Sequence, residues 1–173
     1  KQPNLKQWIM GPCEEEKEYA QECFELVETM KLKDVVFTGR IDVRDYLGRM
    51  DMTILTSISE GQPLTILESY AAKKPVIATD VGNCRGLLYG ENDTFGDAGI
   101  LVHIMNVQEI AQAMLVLAKD EKKRTTMGEN GYRRLMAKYR IEDMRETYRD
   151  IYSELAQGMN IAWSEERFSI AAK

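Results

Sequence analysis

Two carboxylates, Glu60 and Glu68, stand with seven residues between them in the run Ser57-Ile-Ser-Glu-Gly-Gln-Pro-Leu-Thr-Ile-Leu-Glu68, and Pro75-Val-Ile-Ala-Thr-Asp-Val-Gly82 follows. The residue types predict an apolar strand, a sharp turn, a helix N-terminus and a second apolar strand. Open parallel sheets bind ligands at such strand-to-helix turns. The free N–H groups of a first helical turn, with the helix dipole, suit an anion such as a diphosphate. Two acids beside that site suit neutral hydroxyls. The chemistry expected is recognition of a phosphate-linked sugar.

The elements that must position these groups can be argued locally. Met52–Leu55 is short and apolar and follows Asp51, as a buried strand should. Pro63 suits the first helical position, where its missing N–H costs nothing. Gly61 permits a tight approach, and Leu64, Leu67 and Ala71 are expected to form an inward stripe at helical spacing. Glu60 then lies just outside the helix and Glu68 about 8 Å along its axis at 1.5 Å per residue. Helical side chains lean toward the N-terminus, so Glu68 is expected to point to the same mouth as Glu60.

The Glu pair after its Thr-Ser-Ile-Ser lead resembles the signature of retaining GT-B glycosyltransferases of the glycogen-synthase and sucrose-synthase type. Phe37-Thr-Gly-Arg40, Leu55-Thr-Ser-Ile-Ser-Glu-Gly-Gln-Pro-Leu64 and Val76-Ile-Ala-Thr-Asp-Val-Gly-Asn-Cys-Arg85 together resemble the PelF family of exopolysaccharide glycosyltransferases. The similarity runs from about Gly11 to about Leu155. It implies Glu60 on the donor sugar and Glu68 on the ribose of the nucleotide. The amides near Leu64 and Thr65, with Gly61 beside them, would take the phosphates, and Gly39, Arg40 and Ile41 would lie along the nucleobase. The implied donor is UDP-glucose, held without a metal ion or other cofactor. The implied reaction keeps the anomeric configuration, with the departing phosphate as base.

The resemblance also has gaps. Residues 1–12 resemble the second strand of the donor half, so its first strand, the following helix, a basic Arg and Lys pair and the acceptor-binding domain are expected to be absent from this chain. Gly86 follows Arg85 where relatives carry Glu. A diphosphate beside two acids is repelled unless cations offset it. Arg40 and Arg85 are the candidate partners here. The chain alone is therefore expected to bind UDP or UDP-sugar only at high micromolar to millimolar concentration, and to transfer no sugar.

Composition agrees with a globular domain. At 173 residues, 44% hydrophobic and 29% charged, the chain is long enough for one core. A net charge of −5 argues against nucleic acid or an anionic membrane as partner. Cys13, Cys23 and Cys84 have no metal or redox spacing, which suggests a reduced, cytoplasmic protein with the cysteines as small core residues. No apolar run reaches the roughly 18 residues of a membrane span. His103, the only histidine, ends a strand and is expected to be structural.

Hydrophobic periodicity predicts strands at 5–10, 35–38, 52–55, 75–79 and 99–103. Helices are predicted at 14–30, 42–50, from 63, at 83–88, 107–119, 121–138 and 141–157. Strands separated by helices imply an α/β, Rossmann-like parallel sheet with right-handed crossovers. Residues 1–157 would form the nucleotide-sugar-binding domain and 158–173 a tail carrying Trp163 and Phe168. Without its central first strand the sheet would leave edges unpaired. Direct pairing of the flanking strands, strand exchange in a homo-oligomer, or a displaced N-terminal segment would relieve this. The competing reading is a Rossmann-like scaffold or interaction module without donor chemistry. A dinucleotide oxidoreductase fares poorly, because no G-x-G-x-x-G follows a strand.

Overall fold

A computed structural model describes residues 4–158. The chain alternates strand and helix: β1 (Gln7–Met10), α1 (Lys17–Thr29), β2 (Val35–Gly39), α2 (Arg44–Leu47), β3 (Thr53–Leu55), α3 (Leu64–Ala71), β4 (Val76–Thr79), α4 (Cys84–Tyr89) and β5 (Gly99–Val102). Three helices follow, α5 (Val107–Lys119), α6 (Glu121–Lys138) and α7 (Ile141–Gly158). Every predicted strand and helix is present, with ends displaced by a few residues. All strand pairings are parallel, as helical crossovers require. The fold is the α/β, Rossmann-like arrangement that the alternation predicted.

The strands form two groups, β1 with β2, and β3–β4–β5. β1 and β3 do not pair with each other, so direct pairing, one of the three arrangements expected, does not occur. Both are held where they are by their own partners. Thr53, Ile54 and Leu55 register against Val76, Ile77 and Ala78, and Gln7, Trp8 and Ile9 against Val35, Val36 and Phe37.

The core lies around the three-stranded group. β4 is central, and all four of its residues are buried. Its flanks are strands and its faces are covered by helices, which explains the unbroken apolar run Val76-Ile-Ala. Ile77 packs with Val102, Ala113, Leu117 and Met127.

The inward face of α3 differs from the one expected. Leu64 is 69% exposed, Ala71 is exposed and Leu67 is half-buried, whereas Pro63, Ile66, Ser69 and Tyr70 are buried. The buried stripe is thus Pro63, Ile66 and Tyr70. It is fixed by long-range contacts that helical spacing does not reveal. Gly131 of α6 comes so close to Tyr70 that a Cβ there would lie 2.4 Å from the ring. Tyr70 also donates its hydroxyl hydrogen to the Leu87 carbonyl at 3.0 Å. Pro63 sits one place earlier than expected, as the N-cap with extended backbone (φ −69°, ψ 119°), rather than in the first helical position.

The β1–β2 group is covered more thinly. No residue of α1 is buried. Phe24 of α1 meets Phe37 of β2 edge-on at 4.6 Å, and Trp8 meets Tyr46 of α2 at 5.6 Å.

The chain divides into two compact units, residues 1–133 and residues from 134 onward, with the boundary inside α6. In the second unit α7 carries Ile141, Met144, Tyr148, Ile151 and Leu155 exposed along its length, and Tyr148 stacks on Tyr152. The expected tail, including Trp163 and Phe168, lies outside the described residues apart from Gly158. Among the described residues no helix is long and apolar enough to cross a membrane.

Candidate functional site

The loop from Thr56 to Pro63 joins the carboxyl end of β3 to α3 and carries Glu60. Glu60 is half-buried. Ser57 donates its hydroxyl hydrogen to Glu60 Oε1 at 2.6 Å, which fixes one side of the carboxylate. The loop itself rests on the next strand-to-helix turn, between β4 and α4. Thr79, buried at the end of β4, donates through Oγ1 to the Ser57 carbonyl at 2.6 Å. Four residues on, the Asn83 N–H donates to the Gly61 carbonyl at 2.8 Å.

Between these two bonds lies Gly82. Its φ of +51° is in the left-handed region, and a Cβ there would stand 2.0 Å from the Glu60 carbonyl oxygen. Only glycine lets the two loops touch at this point. Adjacent parallel strands bring their carboxyl-end loops side by side, so the β3–β4 register places this contact at the edge where α/β sheets bind ligands.

The N-terminus of α3 follows directly. No side chain caps it, and the Ile66 N–H turns back to the Pro63 carbonyl at 3.3 Å. Helix geometry leaves the first amides, those of Leu64 and Thr65, without intrahelical acceptors. Both residues are exposed. Glu68 is exposed on the same helix, four residues beyond Leu64 and so about 6 Å further along the axis. Glu60, Gly61, the two amides and Glu68 thus belong to one continuous loop–helix unit.

The third group of expected site residues, Gly39, Arg40 and Ile41, lies at the carboxyl end of β2, in the other strand group. Arg40 reaches Glu15 at 3.0 Å, with its side chain 77% exposed. Arg85 pairs with Asp80, and that hydrogen bond raises its pKa further above the ordinary arginine value. Each candidate counter-ion for a diphosphate is therefore already matched to a carboxylate of this chain.

Two other titratable groups take structural places. Cys84 is fully buried, and burial, followed by the nearby Glu60 and Asp80 carboxylates, pushes its thiol pKa up. It is the small core residue expected, while Cys13 and Cys23 are half-buried. His103 donates its backbone N–H to Glu109 at 2.8 Å, and its Nδ1 lies 2.9 Å from the same carboxylate. These contacts hold the Glu109 pKa below the usual range. They tie the end of β5 to the first turn of α5.

Sequence reasoning assigned no role to Ser57, Thr79, Gly82 or Asn83. A signal was present in Thr79-Asp-Val-Gly82, where a glycine follows the end of a buried strand by three residues. A glycine so placed marks either a turn or a close approach of another backbone.

A family model described as "Glycosyl transferases group 1" matches residues 1–120. The N-acetyl-alpha-D-glucosaminyl L-malate synthase of Bacillus anthracis is 29% identical over 133 residues, which is 76% of this chain and 34% of the synthase. The chain thus spans about a third of the length of that relative. Sucrose-phosphate synthase from Thermosynechococcus elongatus superposes with a TM-score of 0.68 at 26% identity, over 79% of this chain and 35% of that one. Anabaena HepE, crystallised with UDP-glucose, superposes with a TM-score of 0.79 at 20% identity, over 88% and 42%. The last likeness is one of fold.

Proposed function

This chain belongs to the glycosyl transferases group 1 family, and on that premise we propose that it is the donor-binding half of a glycosyltransferase that uses a nucleoside diphosphate sugar. One observation carries the reading. Glu60 is held in a fixed loop immediately before an uncapped helix N-terminus, with Glu68 exposed on that helix. In this reading the amides of Leu64 and Thr65 take the diphosphate beside Gly61, Glu60 accepts hydrogen bonds from hydroxyls of the sugar, and Glu68 accepts those of the ribose. Gly39, Arg40 and Ile41 line the nucleobase. UDP-glucose is the donor favoured, given the UDP-glucose complex of HepE and the motifs that resemble PelF.

The finer parts of the proposal rest on those motifs. They are transfer with retention of anomeric configuration, a role in exopolysaccharide synthesis, an acceptor-binding half elsewhere in the protein, and no need for a metal ion; a cytoplasmic location rests instead on the cysteine pattern. Retention places the leaving phosphate and the attacking hydroxyl on one face of the sugar. The task of this half would then be to hold the diphosphate as charge builds on it, a role for preorganised donors and dipoles.

The ion pairs set the expected strength. Arg40 and Arg85 are matched to Glu15 and Asp80, so a diphosphate must compete with those carboxylates for either cation. Binding by this chain alone is expected at high micromolar to millimolar concentration, about −4 to −5 kcal/mol, with no turnover. The same ion pairs favour the second reading, a scaffold that has kept the fold without donor chemistry.

NMR titration with UDP separates the two. Donor binding predicts shifts of the Gly61, Leu64 and Thr65 amides in the wild type and at least about a fivefold loss of affinity in Glu68→Ala, from the loss of charged hydrogen bonds. If UDP moves none of these resonances, even with an upstream Arg/Lys-bearing segment restored, the scaffold reading stands.

A further inference from the structure

We infer that Thr79, Ser57 and Gly82 form a clamp that aims Glu60, and so act as positioning residues for the sugar moiety but not for the nucleotide; the inference rests on the donor-binding reading above. The contacts run in series from the core to the carboxylate. Thr79 is fully buried at the end of β4, the best-covered strand. Its hydroxyl hydrogen goes to the Ser57 carbonyl at 2.6 Å, and the Ser57 hydroxyl hydrogen goes to Glu60 Oε1 at 2.6 Å. On the far side of Glu60, the Asn83 N–H holds the Gly61 carbonyl at 2.8 Å. Gly82 lies against the Glu60 carbonyl, where a Cβ would come within 2.0 Å. The Glu60 carboxylate is thereby held by its own loop, and that loop is held by the end of β4 and the turn after it.

Glu68 is anchored differently. Its helix is seated by Ile66, Ser69 and Tyr70, which are fully buried, and Ser69 bonds Thr53 of β3 at 2.9 Å. The two acids therefore hang from separate supports. Loosening the clamp should free Glu60 while leaving Glu68 and the helix N-terminus in place. A bound carboxylate with one rotamer held in advance binds hydroxyls at lower entropic cost than a mobile one. The clamp thus acts on the preference for UDP-glucose over UDP, not on UDP affinity itself.

The experiment measures the ratio of UDP-glucose to UDP affinity by NMR titration of the whole chain, for the wild type, Glu60→Ala, Thr79→Val, Thr79→Ser, Gly82→Ala and Ser57→Ala. Thr79→Val removes the hydroxyl at nearly constant shape, and Thr79→Ser restores it. The expected result is that Thr79→Val and Gly82→Ala lower the ratio by about three- to tenfold, the scale of one lost net hydrogen bond. UDP affinity stays within about twofold in Thr79→Val and Ser57→Ala, whereas Gly82→Ala, whose added Cβ would also stand 2.6 Å from the Gly61 carbonyl oxygen, is read by its ratio alone; Thr79→Ser recovers the wild-type ratio. Ser57→Ala, at a half-buried position, gives the same loss and decides the matter if Thr79→Val does not fold. A wild-type ratio in Thr79→Val, Gly82→Ala and Ser57→Ala, with the ratio lost in Glu60→Ala, overturns the clamp and leaves the donor reading intact. A wild-type ratio in Glu60→Ala overturns the sugar role of Glu60, and the clamp's purpose with it. A parallel fall in UDP affinity in Thr79→Val makes Thr79 a general stabiliser and also overturns the inference.

Discussion

The two strand groups are built to different standards. β4 is buried at all four positions, and Ile77 packs among Val102, Ala113, Leu117 and Met127. In the β1–β2 group every strand residue is partly exposed, and α1 buries none of its side chains. Polar contacts between distant segments occur in both groups, Thr79 to Ser57 and Asn83 to Gly61 around β4 and Thr38 to Ile9 and Arg40 to Glu15 around β2. They differ in burial, since Thr79 is fully buried and the Arg40 side chain is 77% exposed. The loop with Glu60 is attached to the first region, and Gly39, Arg40 and Ile41 to the second. The preorganised part of the candidate site is therefore the part carried by the deeper core.

Truncation is the strongest way to break this contrast. Ile77→Ala should cost about 3 kcal/mol, as buried large-to-small changes do. Phe24→Ala should cost about 1 kcal/mol, because Phe24 is already 37% exposed and the area it returns to water is small. Urea unfolding followed by circular dichroism measures both. Equal losses would show that the first sheet is part of one core with β4, and the contrast would fail.

Amide hydrogen exchange gives a subtler reading of the same difference. The β4 amides, Val76 to Thr79, should exchange only on global unfolding. Those of β1 and α1 should exchange by local opening, at least about a hundredfold faster. Exchange of Ala20–Phe24 as slow as that of Ile77–Thr79 would remove the basis for treating the β1–β2 group as the looser one.

How much of this could be read from the sequence follows the reach of the interactions involved. The strands were legible because Val-Val-Phe, Met-Thr-Ile-Leu and Val-Ile-Ala are local apolar runs between breakers. The positions of Glu60 and Glu68 before and within α3 were legible from Pro63 and the helical run after it. The buried face of α3 was not. Leu64 and Ile66 are both apolar, and the choice between them is made by Gly131 and Leu87, far along the chain. The clamp was hidden for the same reason. It depends on the register of Thr53 against Val76, which sets the Glu60 loop beside Gly82. The carboxylates that take Arg40 and Arg85 could not be chosen among 28 acidic residues without coordinates.

The smallest effect concerns Asp42, at the entrance to α2. Side-chain and then backbone hydrogen bonds from Arg44 lower its pKa to about 2. A carboxylate whose pKa is lowered in the folded state adds stability above its unfolded value, roughly 4, and that contribution is lost as pH falls toward 2. The Asp42 side chain is exposed and its partner is two residues away, so solvent screens the pair and the same contact can form without the rest of the fold. NMR titration of the Asp42 carboxyl should therefore show a midpoint near 2 in the wild type. In Arg44→Ala the midpoint should rise to the ordinary range near 4, while Tm at neutral pH changes by less than in Phe24→Ala. A larger fall in Tm for Arg44→Ala would mean that the β2–α2 corner couples to the whole domain, as the turn after β4 does.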